Sequence, residues 1–352
     1  LEASLEYRPL PPQSVVFVDE AQDHTPLQLE VIRTWRSRYH VLIGDDDQNL
    51  YEWSGAVPKE FYTPDLPEGR ERVLSQSYRV PISVHEISTR WISTLISRRQ
   101  KIYMPKPVDG KVVRSPTTLL DSSSGTLPPG ILDDPNRTYM VLASCGYMLN
   151  DIIHNLRDLG IPFHNPYRRS NKKWNPLGSI WNRIEDYLTP QPWTGDMIAN
   201  WASVLRAKDV FYPGAKDQFI TRCGEIGKKE VPISVLSNAF LPGVLDMIMH
   251  RDIRVLSTMR RAGVTGSWDY ALKVVQLPKS EQTPRVIVGT IHSVKGGEAD
   301  QVYVYPDLSM PGYLDYVDKN RVGRIIRMFY VAMTRAKDSL IICSPSGRSA
   351  RF

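Results

Sequence analysis

The sequence predicts an α/β protein built on two parallel sheets. Two short apolar runs near the chain start, Val15 to Val18 and 41–44, each end abruptly in aspartates. Further apolar runs of strand length lie at 138–144, 286–291, 301–305 and 339–344. Helical patterns separate these runs, and strands that alternate with helices form parallel sheets. We therefore expect one sheet from the early runs and a second sheet from the later ones.

Helices are expected beside both sheets. Their patterns lie near 26–38 and 81–97, next to the early strands, and near 147–159 in the later part. Residues 106–136 are rich in Pro, Ser, Asp and Gly, which is typical of a loop or linker. Residues 175–280 alternate helical patterns with Pro and Trp, which predicts an inserted helical subdomain.

The first apolar run ends in the segment VVFVDEAQD at 15–23. Nucleotide hydrolases present an acid pair to magnesium on a buried strand that ends in adjacent carboxylates. In that interpretation Asp19 holds Mg²⁺ through its water shell, and Glu20 polarises the water that attacks the γ-phosphate. An ordinary strand followed by an acidic turn would have the same letters, so this segment alone leaves both interpretations open.

The second apolar run leads into VLIGDDDQNLYEWSGA at 41–56. Asp45, Asp46 and Asp47 repel one another unless a cation or turn amides lie nearby, so their clustering fits a metal–nucleotide site. A solvated loop is the alternative. Gln48 is uncharged and can bond a phosphate oxygen or the attacking water, which makes it a candidate sensor of the γ-phosphate.

Tyr51 and Trp53 lie two residues apart in the same segment. In an extended chain their side chains point the same way and offer a platform on which bases can stack. Core packing uses such residues equally well, and large aromatic side chains are more often buried. The pair is therefore a candidate nucleic-acid contact with a structural alternative.

Three later segments complete a recognisable set. They are LSQSYRVP at 74–81, VIVGTIHSVKGGEADQVYV at 286–304 and MFYVAMTRAK at 328–337. With the two acidic segments, they resemble in order and context the motifs of superfamily 1 DNA helicases of the UvrD/Rep type. The resemblance implies an α/β fold with two RecA-like parallel-sheet domains of the P-loop NTPase type, the first incomplete and the second with a small helical insertion.

The resemblance also implies domain boundaries. Residues 1–104 correspond to the C-terminal part of the first RecA-like motor domain. Residues 105–174 and 281–352 correspond to the second motor domain, and 175–280 to the inserted helical subdomain. Nucleotide is then expected between the two motor domains.

Roles for single residues follow from the resemblance, position by position. The residues implied at the nucleotide are Asp19, Glu20, Gln48, Tyr78, Arg79, Gly296, Glu298 and Arg335. The residues implied at the DNA strand are Tyr51, Trp53, Thr290 and His292. In the first group, Tyr78 stacks on the adenine and Arg79 reaches the γ-phosphate. Glu298 bonds the ribose, and Arg335 acts as an arginine finger.

The chemistry of phosphoryl transfer is consistent with the roles that the resemblance implies for Arg79 and Arg335. Phosphoryl transfer spreads negative charge over equatorial oxygens, and a planar, permanently charged guanidinium matches that geometry. On a helix, Arg335 falls on nearly the same mostly apolar face as Met328 and Val331. An arginine at the edge of such a face is costly unless it meets an anion, and a salt bridge to a carboxylate is the structural alternative.

The glycine-rich segment after the strand at 286–289 gives weaker indications. Gly296 and Gly297 allow backbone amides to approach phosphates or DNA, although a plain turn would look similar. His292 alone is no evidence of catalysis, because a hydrogen-bonded structural histidine is the usual explanation.

The sequence contains no G-x-x-x-x-G-K-[ST] loop, which cradles the β- and γ-phosphates. GEIGKKE at 224–230 is too short in its glycine spacing. In the resembled family that loop lies upstream of the DEAQD segment, and this chain starts at Leu1 without an initiator methionine. We therefore expect the C-terminal portion of a longer protein, and we expect no ATP hydrolysis by this portion alone.

The implied function of the intact protein is ATP- and Mg²⁺-dependent translocation along single-stranded DNA with unwinding of duplex DNA, 3′ to 5′, in repair or replication. The alternative is a non-catalytic module derived from a helicase that keeps nucleic-acid or protein contacts. The retained acids and arginines favour the motor, because a module freed from hydrolysis has no chemical need for all of them.

Composition is compatible with this function. The 352 residues are 41% hydrophobic and 23% charged, enough for more than one core, and the net charge of +6 favours polyanions. Cys145, Cys223 and Cys343 lack the spacing of a disulfide framework or zinc site, so a reducing interior is expected, the cytoplasm of a bacterium or phage-infected cell. No apolar run approaches the ~20 residues of a membrane span, so no membrane partner is expected.

Overall fold

The computed structural model describes residues 15–35, 37–67, 69–95, 98–121, 127–168, 172–190, 192–262 and 267–352. The predicted first domain and the predicted helix near 81–97 extend beyond these ranges, at residues 1–14 and 96–97. The predicted linker, second motor domain and helical subdomain also contain residues outside them, at 122–126, 169–171, 191 and 263–266. The chain divides into two compact units, Leu1–Ile152 with Val286–Phe352, and Ile153–Arg285.

Strands and helices alternate along much of the chain. The strands are β1 Val15–Val18, β2 Tyr39–Leu42, β3 Gln76–Pro81, β4 Met104–Lys106, β5 Lys111–Arg114, β6 Tyr139–Ala143, β7 Phe163–His164, β8 Val286–Thr290, β9 Ala299–Val304 and β10 Ala336–Ile342. The α-helices are α1 Pro26–Thr34, α2 Ile82–Ile92, α3 Asn150–Asp158, α4 Gly178–Leu188, α5 Gly195–Ala202, α6 Ala215–Ile226, α7 Ile233–Ser237, α8 Pro242–Met249, α9 Arg254–Thr258, α10 Ser267–Val275, α11 Met310–Val317 and α12 Val322–Met333.

In the first unit, β1 and β2 pair in parallel, with α1 as the connection between them. The start of α1 is specified locally, because the Thr25 hydroxyl and the Gln28 side chain form a capping box and Pro26 occupies the first turn. The two strands run in the same direction, so the acidic segments that follow them leave the same edge of the sheet.

The first strand, expected to be buried, is buried on one face and exposed on the other. Val18, Ala21 and Ile32 form a small buried cluster on one face of the β1–β2 pair. On the other face, Val15 is 39% exposed and Phe17 is 69% exposed. The strand therefore alternates, because in the described structure only one face of this two-stranded sheet is covered.

The larger sheet of the first unit is parallel, as predicted. Its strands follow the order β5, β10, β9, β6, β8, and every neighbouring pair is parallel. Val141 of β6 lies in register with Val288 of β8 and Tyr303 of β9. The carboxyl ends of β6 and β8 thus meet at one edge, where Thr290 begins the turn Ile291–Val294.

One buried cluster connects the parts of the first unit. It includes Val80 of β3, Trp91 of α2, Leu142 of β6 and Phe329 of α12. The indole Nε1 of Trp91 donates to the carbonyl of Ile326 at 2.8 Å, which fixes α2 against α12. This packing places the acidic turns after β1 and β2 in the same compact unit as the end of α12.

The second unit contains the helices α4 to α10, and none of the helices in the described ranges is long and apolar enough to cross a membrane. Its core is aromatic: Trp193, Trp201 and Phe240 are all buried, and the Trp193 and Trp201 ring centroids lie 5.5 Å apart. Such rings bury large apolar areas and stabilise the unit strongly.

Gly195, the first residue of α5, is expected to be intolerant of any side chain. A Cβ atom at this position would lie 2.1 Å from the carbonyl oxygen of Cys223 in α6. Because backbone rather than a flexible side chain must shift, we expect Gly195→Ala to lower the free energy of unfolding by about 1–3 kcal/mol. Urea unfolding followed by circular dichroism measures this change.

Gly224→Ala is the matched control, because no heavy atom outside its own helix lies within 4 Å of a Cβ at this position of α6. Alanine inside a helix is more favourable than glycine by about 0.5–1 kcal/mol, so this variant should be slightly stabilised. Equal unfolding midpoints for the two variants would show that the α5–α6 contact is not tight.

Candidate nucleotide and nucleic-acid site

Asp19 and Glu20 form the turn after β1. Asp19 is exposed, and its carboxylate accepts the backbone N–H of Glu20 at 2.9 Å. Glu20 has φ 52° and ψ 39°, a left-handed conformation that costs a residue with a side chain roughly 1–3 kcal/mol. Its carboxylate accepts from Gln22 Nε2 at 2.5 Å and lies 3.0 Å from Lys295 Nζ. Two side chains thus hold Glu20 on a strained turn.

Gln22 joins the two acidic turns. Its side chain is buried, and its Oε1 atom accepts the backbone N–H of Asp45 at 3.0 Å while Nε2 donates to Glu20. The approach requires glycine at position 44, since a Cβ there would lie 2.3 Å from Gln22 Oε1. The orientation of Glu20 therefore depends on the turn after β2.

The acidic triplet Asp45, Asp46 and Asp47 is neutralised by side-chain cations. The triplet's oxygen atoms lie within 4.8 Å of one another. Lys101 Nζ contacts all three carboxylates, at 2.5 Å from Asp46 and 3.1 Å from Asp47. Arg98 Nε donates to Asp47 at 2.9 Å. The clustered carboxylates thus have the nearby cation that their repulsion requires, and in this structure that cation is an ammonium.

The ionisation of this network follows from the same contacts. Burial raises the pKa of Asp46, but Lys101 and the hydrogen bonds from Tyr62 and the backbone of Arg99 together outweigh burial and leave that pKa below its ordinary value. Burial likewise lowers the pKa of Lys101, and the three carboxylates outweigh it and hold the pKa above the ordinary range. Asp46 and Lys101 are therefore both charged at neutral pH, and removing one of them leaves an uncompensated buried charge.

Gln48 lies at the end of the short turn Asp46–Gln48 and faces two charged groups. Its Nε2 atom donates to Asp45 Oδ2 at 2.8 Å, and its Oε1 atom accepts from Arg335 Nη2 at 3.0 Å. A carboxylate only accepts and a guanidinium only donates, so the amide has one satisfactory orientation. The predicted sensor and the predicted arginine finger are in direct contact.

The expected place of Arg335 on a helical face is wrong, because α12 ends at Met333. The side chain folds back over the helix end and donates to the carbonyls of Val331 at 2.9 Å and Gly297 at 3.3 Å. The Arg335 side chain is 1% exposed, and in the described part of the chain it forms no ion pair with a carboxylate. The salt bridge considered as an alternative is thus not observed.

A second guanidinium lies near Arg335. Burial and the proximity of Arg79 lower the pKa of Arg335 to about 9, while Glu20 opposes this shift. The Nε atom of Arg79 is buried and has no hydrogen-bond partner. Neither arginine forms an ion pair in the described ranges, and both Arg79 and Glu20 lie near enough to Arg335 to interact with it electrostatically. Tyr78, the neighbour of Arg79 in β3, is 88% exposed.

Lys295 links the glycine-rich segment to the first acidic turn. Besides Glu20, its ammonium contacts Asp23, and it lies 5.8 Å from the ring centroid of Tyr51. Burial raises the pKa of Asp23, and Lys295 partly offsets this effect. The lysine is almost fully buried, so the contact positions the segment after β8 against the turn after β1.

The other predicted residues of this segment lie around the same turn. The Thr290 hydroxyl accepts the backbone N–H of Ser293 at 3.2 Å and caps the turn that carries His292. Gly296 has φ 80° and lies on the surface, where no atom would meet a Cβ. Glu298 is exposed, with its carboxylate 3.8 Å from Lys337 Nζ.

Tyr51 and Trp53 do not lie in an extended segment. Glu52–Ser54 forms a short turn of 3-10 helix, so the argument from strand alternation fails. The two rings are still neighbours, with centroids 6.1 Å apart and planes at 45°. Trp53 is 69% exposed, whereas Tyr51 is half-buried against the core. Trp53 is the member of the pair that is open to a base.

The structure thus joins Gln48 to Arg335 by a hydrogen bond, and Glu20 and Arg79 lie near enough to Arg335 to affect its pKa. Asp19 adjoins Glu20. In the described ranges, no hydrogen bond or ion pair connects Tyr78, Thr290 or Glu298 to that group. Sequence reasoning missed Gln22, Lys101 and Lys295. Gln22 and Lys295 lie inside motifs quoted above, so their place in a motif could have identified them. Lys101 lies outside every quoted motif, and no feature of the sequence marks it.

Comparison with known proteins agrees with the geometry. Residues 12–65 match the model of the UvrD/REP helicase N-terminal domain, and residues 267–346 match the UvrD-like helicase C-terminal domain. Over these two ranges the chain is similar to the UvrD/Rep-like helicases. Both halves of the site, the acidic turns and the Arg335 segment, lie inside the matched ranges of this family.

One curated relative is the ATP-dependent DNA helicase Rep of Buchnera aphidicola subsp. Schizaphis graminum (strain Sg), which is 37% identical over 70 residues. The aligned part covers 19% of this chain and 11% of that helicase. The similarity therefore supports the family and extends over only a small part of the relative's length.

Proposed function

We propose that the protein is an ATP-driven motor that moves along single-stranded DNA and unwinds duplex DNA, with 3′ to 5′ polarity. The observation that carries the proposal is the pair Arg335 and Arg79. A buried guanidinium without a carboxylate partner, beside a second one with an unmet N–H, fits an anion that carries several charges. A nucleoside triphosphate is such an anion.

The residues around this pair fit ATP and Mg²⁺. Asp19 is exposed and forms no ion pair in the described ranges, so its carboxylate is open to a hydrated magnesium ion. Bound Mg²⁺ neutralises charge on the phosphate oxygens during phosphoryl transfer. Gln22 and Lys295 hold the Glu20 carboxylate, and we expect this carboxylate to accept the proton of the attacking water.

Gln48 connects the two sides of the site. In this structure Arg335 donates to the neutral amide of Gln48, and a phosphate oxygen is a stronger acceptor than an amide oxygen. Arg335 is therefore expected to exchange Gln48 for phosphate when a triphosphate binds. Loss of the γ-phosphate returns Arg335 to Gln48, which makes the amide a sensor of hydrolysis.

A single strand of DNA is expected at Trp53 and Tyr51, with Thr290 and His292 as further contacts. The exposed indole of Trp53 offers a face to any base, so this contact does not depend on sequence. Tyr51 lies under Lys295, which also contacts Glu20. This chain of contacts gives a physical route by which bound DNA stimulates hydrolysis.

Trp53→Ala is expected to weaken binding of single-stranded DNA. Loss of one base-stacking contact costs about 1–3 kcal/mol, which corresponds to roughly 5- to 150-fold in Kd. Fluorescence anisotropy with a labelled oligonucleotide measures the change. Tyr212→Ala, which removes an exposed aromatic residue of the second unit, should bind as the wild type does. An unchanged Kd for Trp53→Ala would remove Trp53 from the DNA path.

The proposed activity is tested with the natural protein. ATP hydrolysis should rise when single-stranded DNA is added, and a duplex with a 3′ single-stranded tail should be unwound in preference to one with a 5′ tail. A rate of ATP hydrolysis that does not change when DNA is added would contradict a DNA motor. DNA binding without any hydrolysis would support the non-catalytic module instead.

A further inference from the structure

We propose that Lys101 is a positioning residue that sets the orientation of Gln48 through Asp45. The proposal rests on the proposed function, because it takes Gln48 as the sensor of the γ-phosphate. It assigns a role to a residue that lies outside every motif considered above.

The side chains of Lys101, Asp45, Gln48 and Arg335 form a row in which hydrogen-bond donors and acceptors alternate. Lys101 Nζ contacts Asp45 Oδ1, Asp45 Oδ2 accepts from Gln48 Nε2 at 2.8 Å, and Gln48 Oε1 accepts from Arg335 Nη2 at 3.0 Å. Each group in the row can pair with its neighbour in only one sense. The ammonium at one end therefore helps to determine which atom of Gln48 faces the guanidinium at the other end.

Besides Lys101, the partners of the Asp45 carboxylate in the described ranges are Gln48 Nε2 and, at 3.1 Å, the backbone N–H of Asp47. Asp46 is also held by the Tyr62 hydroxyl at 2.7 Å, and Asp47 by Arg98. The side chain of Asp45 is 29% exposed, whereas those of Asp46 and Asp47 are 4% and 0% exposed. When Lys101 is removed, repulsion within the triplet is relieved most easily by turning Asp45 outward into water.

Gln48 would then lose the acceptor that fixes its amide. A freed amide turns either its oxygen or its nitrogen towards Arg335, and only the oxygen can accept from a guanidinium. The sensor is consequently misplaced in part of the molecules. We expect the rate of hydrolysis to fall while the binding of ATP, which relies on the arginines, changes little.

The decisive experiment is a double-mutant cycle in the natural protein, with kcat and KM of DNA-stimulated ATP hydrolysis as readouts. Lys101→Met removes the charge at similar length and should lower kcat about 10- to 100-fold with little change in KM. In a Gln48→Ala background, Lys101→Met should lower kcat no further. Additive losses would overturn the proposal, because Lys101 would then act independently of Gln48.

Two further variants separate positioning from folding. Lys101→Arg keeps the positive charge and should retain most of the wild-type kcat, whereas the exposed control Lys59→Met should retain all of it. If Lys101→Met does not fold, Asp45→Asn tests the same row, since it weakens the link to Lys101 without removing a buried cation. An unchanged kcat for Asp45→Asn, or an additive loss in the Gln48→Ala background, would overturn the proposal.

The same data distinguish this proposal from the proposed function. A Gln48→Ala variant with wild-type kcat would contradict the sensor role and the motor mechanism with it. A large loss for Gln48→Ala, together with an additive loss for Lys101→Met, would contradict only the role of Lys101.

Discussion

Glu20→Gln is expected to reduce DNA-stimulated ATP hydrolysis by about 10²- to 10⁴-fold, the range typical for loss of a general base. Glutamine keeps the size of the side chain and can still bond Gln22, but it cannot take a proton from water. ATP binding should persist, because the arginine pair is untouched. Hydrolysis is measured as phosphate release with saturating single-stranded DNA, and ATP binding with a fluorescent analogue.

Glu86→Gln is the matched control, since Glu86 is exposed on α2, away from the acidic turns. It should hydrolyse ATP at the wild-type rate. The proposed mechanism would be refuted by a Glu20→Gln protein whose DNA-stimulated hydrolysis equals that of the control. A variant that loses both ATP binding and ATP hydrolysis would indicate instead that Glu20 stabilises the strained turn after β1.

The α/β class and the parallel sheets were predictable because they depend on local patterns. The apolar run at Val15 to Val18 and the run at 286–289 appear as β1 and β8 with nearly the expected bounds. Parallel strands place their carboxyl ends at one edge, so the acids after β1 and β2 had to lie near each other. The hydrogen bond from the backbone N–H of Asp45 to Gln22, which connects the two acidic turns, was not predicted.

Other features depend on contacts between distant residues and were not predictable. Lys101 reaches the acidic triplet across 55 residues, and no local pattern marks it as the cation that neutralises Asp46. Arg335 was expected on a helix because the apolar period continues up to it, yet α12 ends at Met333 and the arginine donates back to the carbonyl of Val331 in the last turn. Periodicity identifies a helix better than it identifies the helix end.

Trp53 illustrates a partial success. Its place beside Tyr51 was expected from spacing in a strand, whereas a turn of 3-10 helix brings the rings together. The two rings are neighbours, as expected, because a short turn also brings residues two positions apart close together. The exposure of Trp53 could not be read from the sequence, since burial depends on how the turn packs on the core.

Arg335→Lys is expected to lower the rate of DNA-stimulated hydrolysis by about 10³-fold or more, the usual effect of losing an arginine finger. The guanidinium donates at once to Val331, Gly297 and Gln48, and its fork holds these bonds in one plane. A lysine ammonium keeps the positive charge but cannot make the same planar set of bonds. The variant therefore separates the charge of Arg335 from its geometry.

Single-turnover hydrolysis in the natural protein measures this effect, with thermal unfolding as a check on the fold. Arg324→Lys is the matched control, because Arg324 is partly exposed on α12 and pairs loosely with Glu52 at 3.4 Å. Its rate should stay within about threefold of the wild type, as for other loosely held surface pairs. If Arg335→Lys hydrolyses ATP as fast as this control while remaining folded, the buried guanidinium serves only to close the end of α12. The anion-binding role on which the proposed function rests would then be lost.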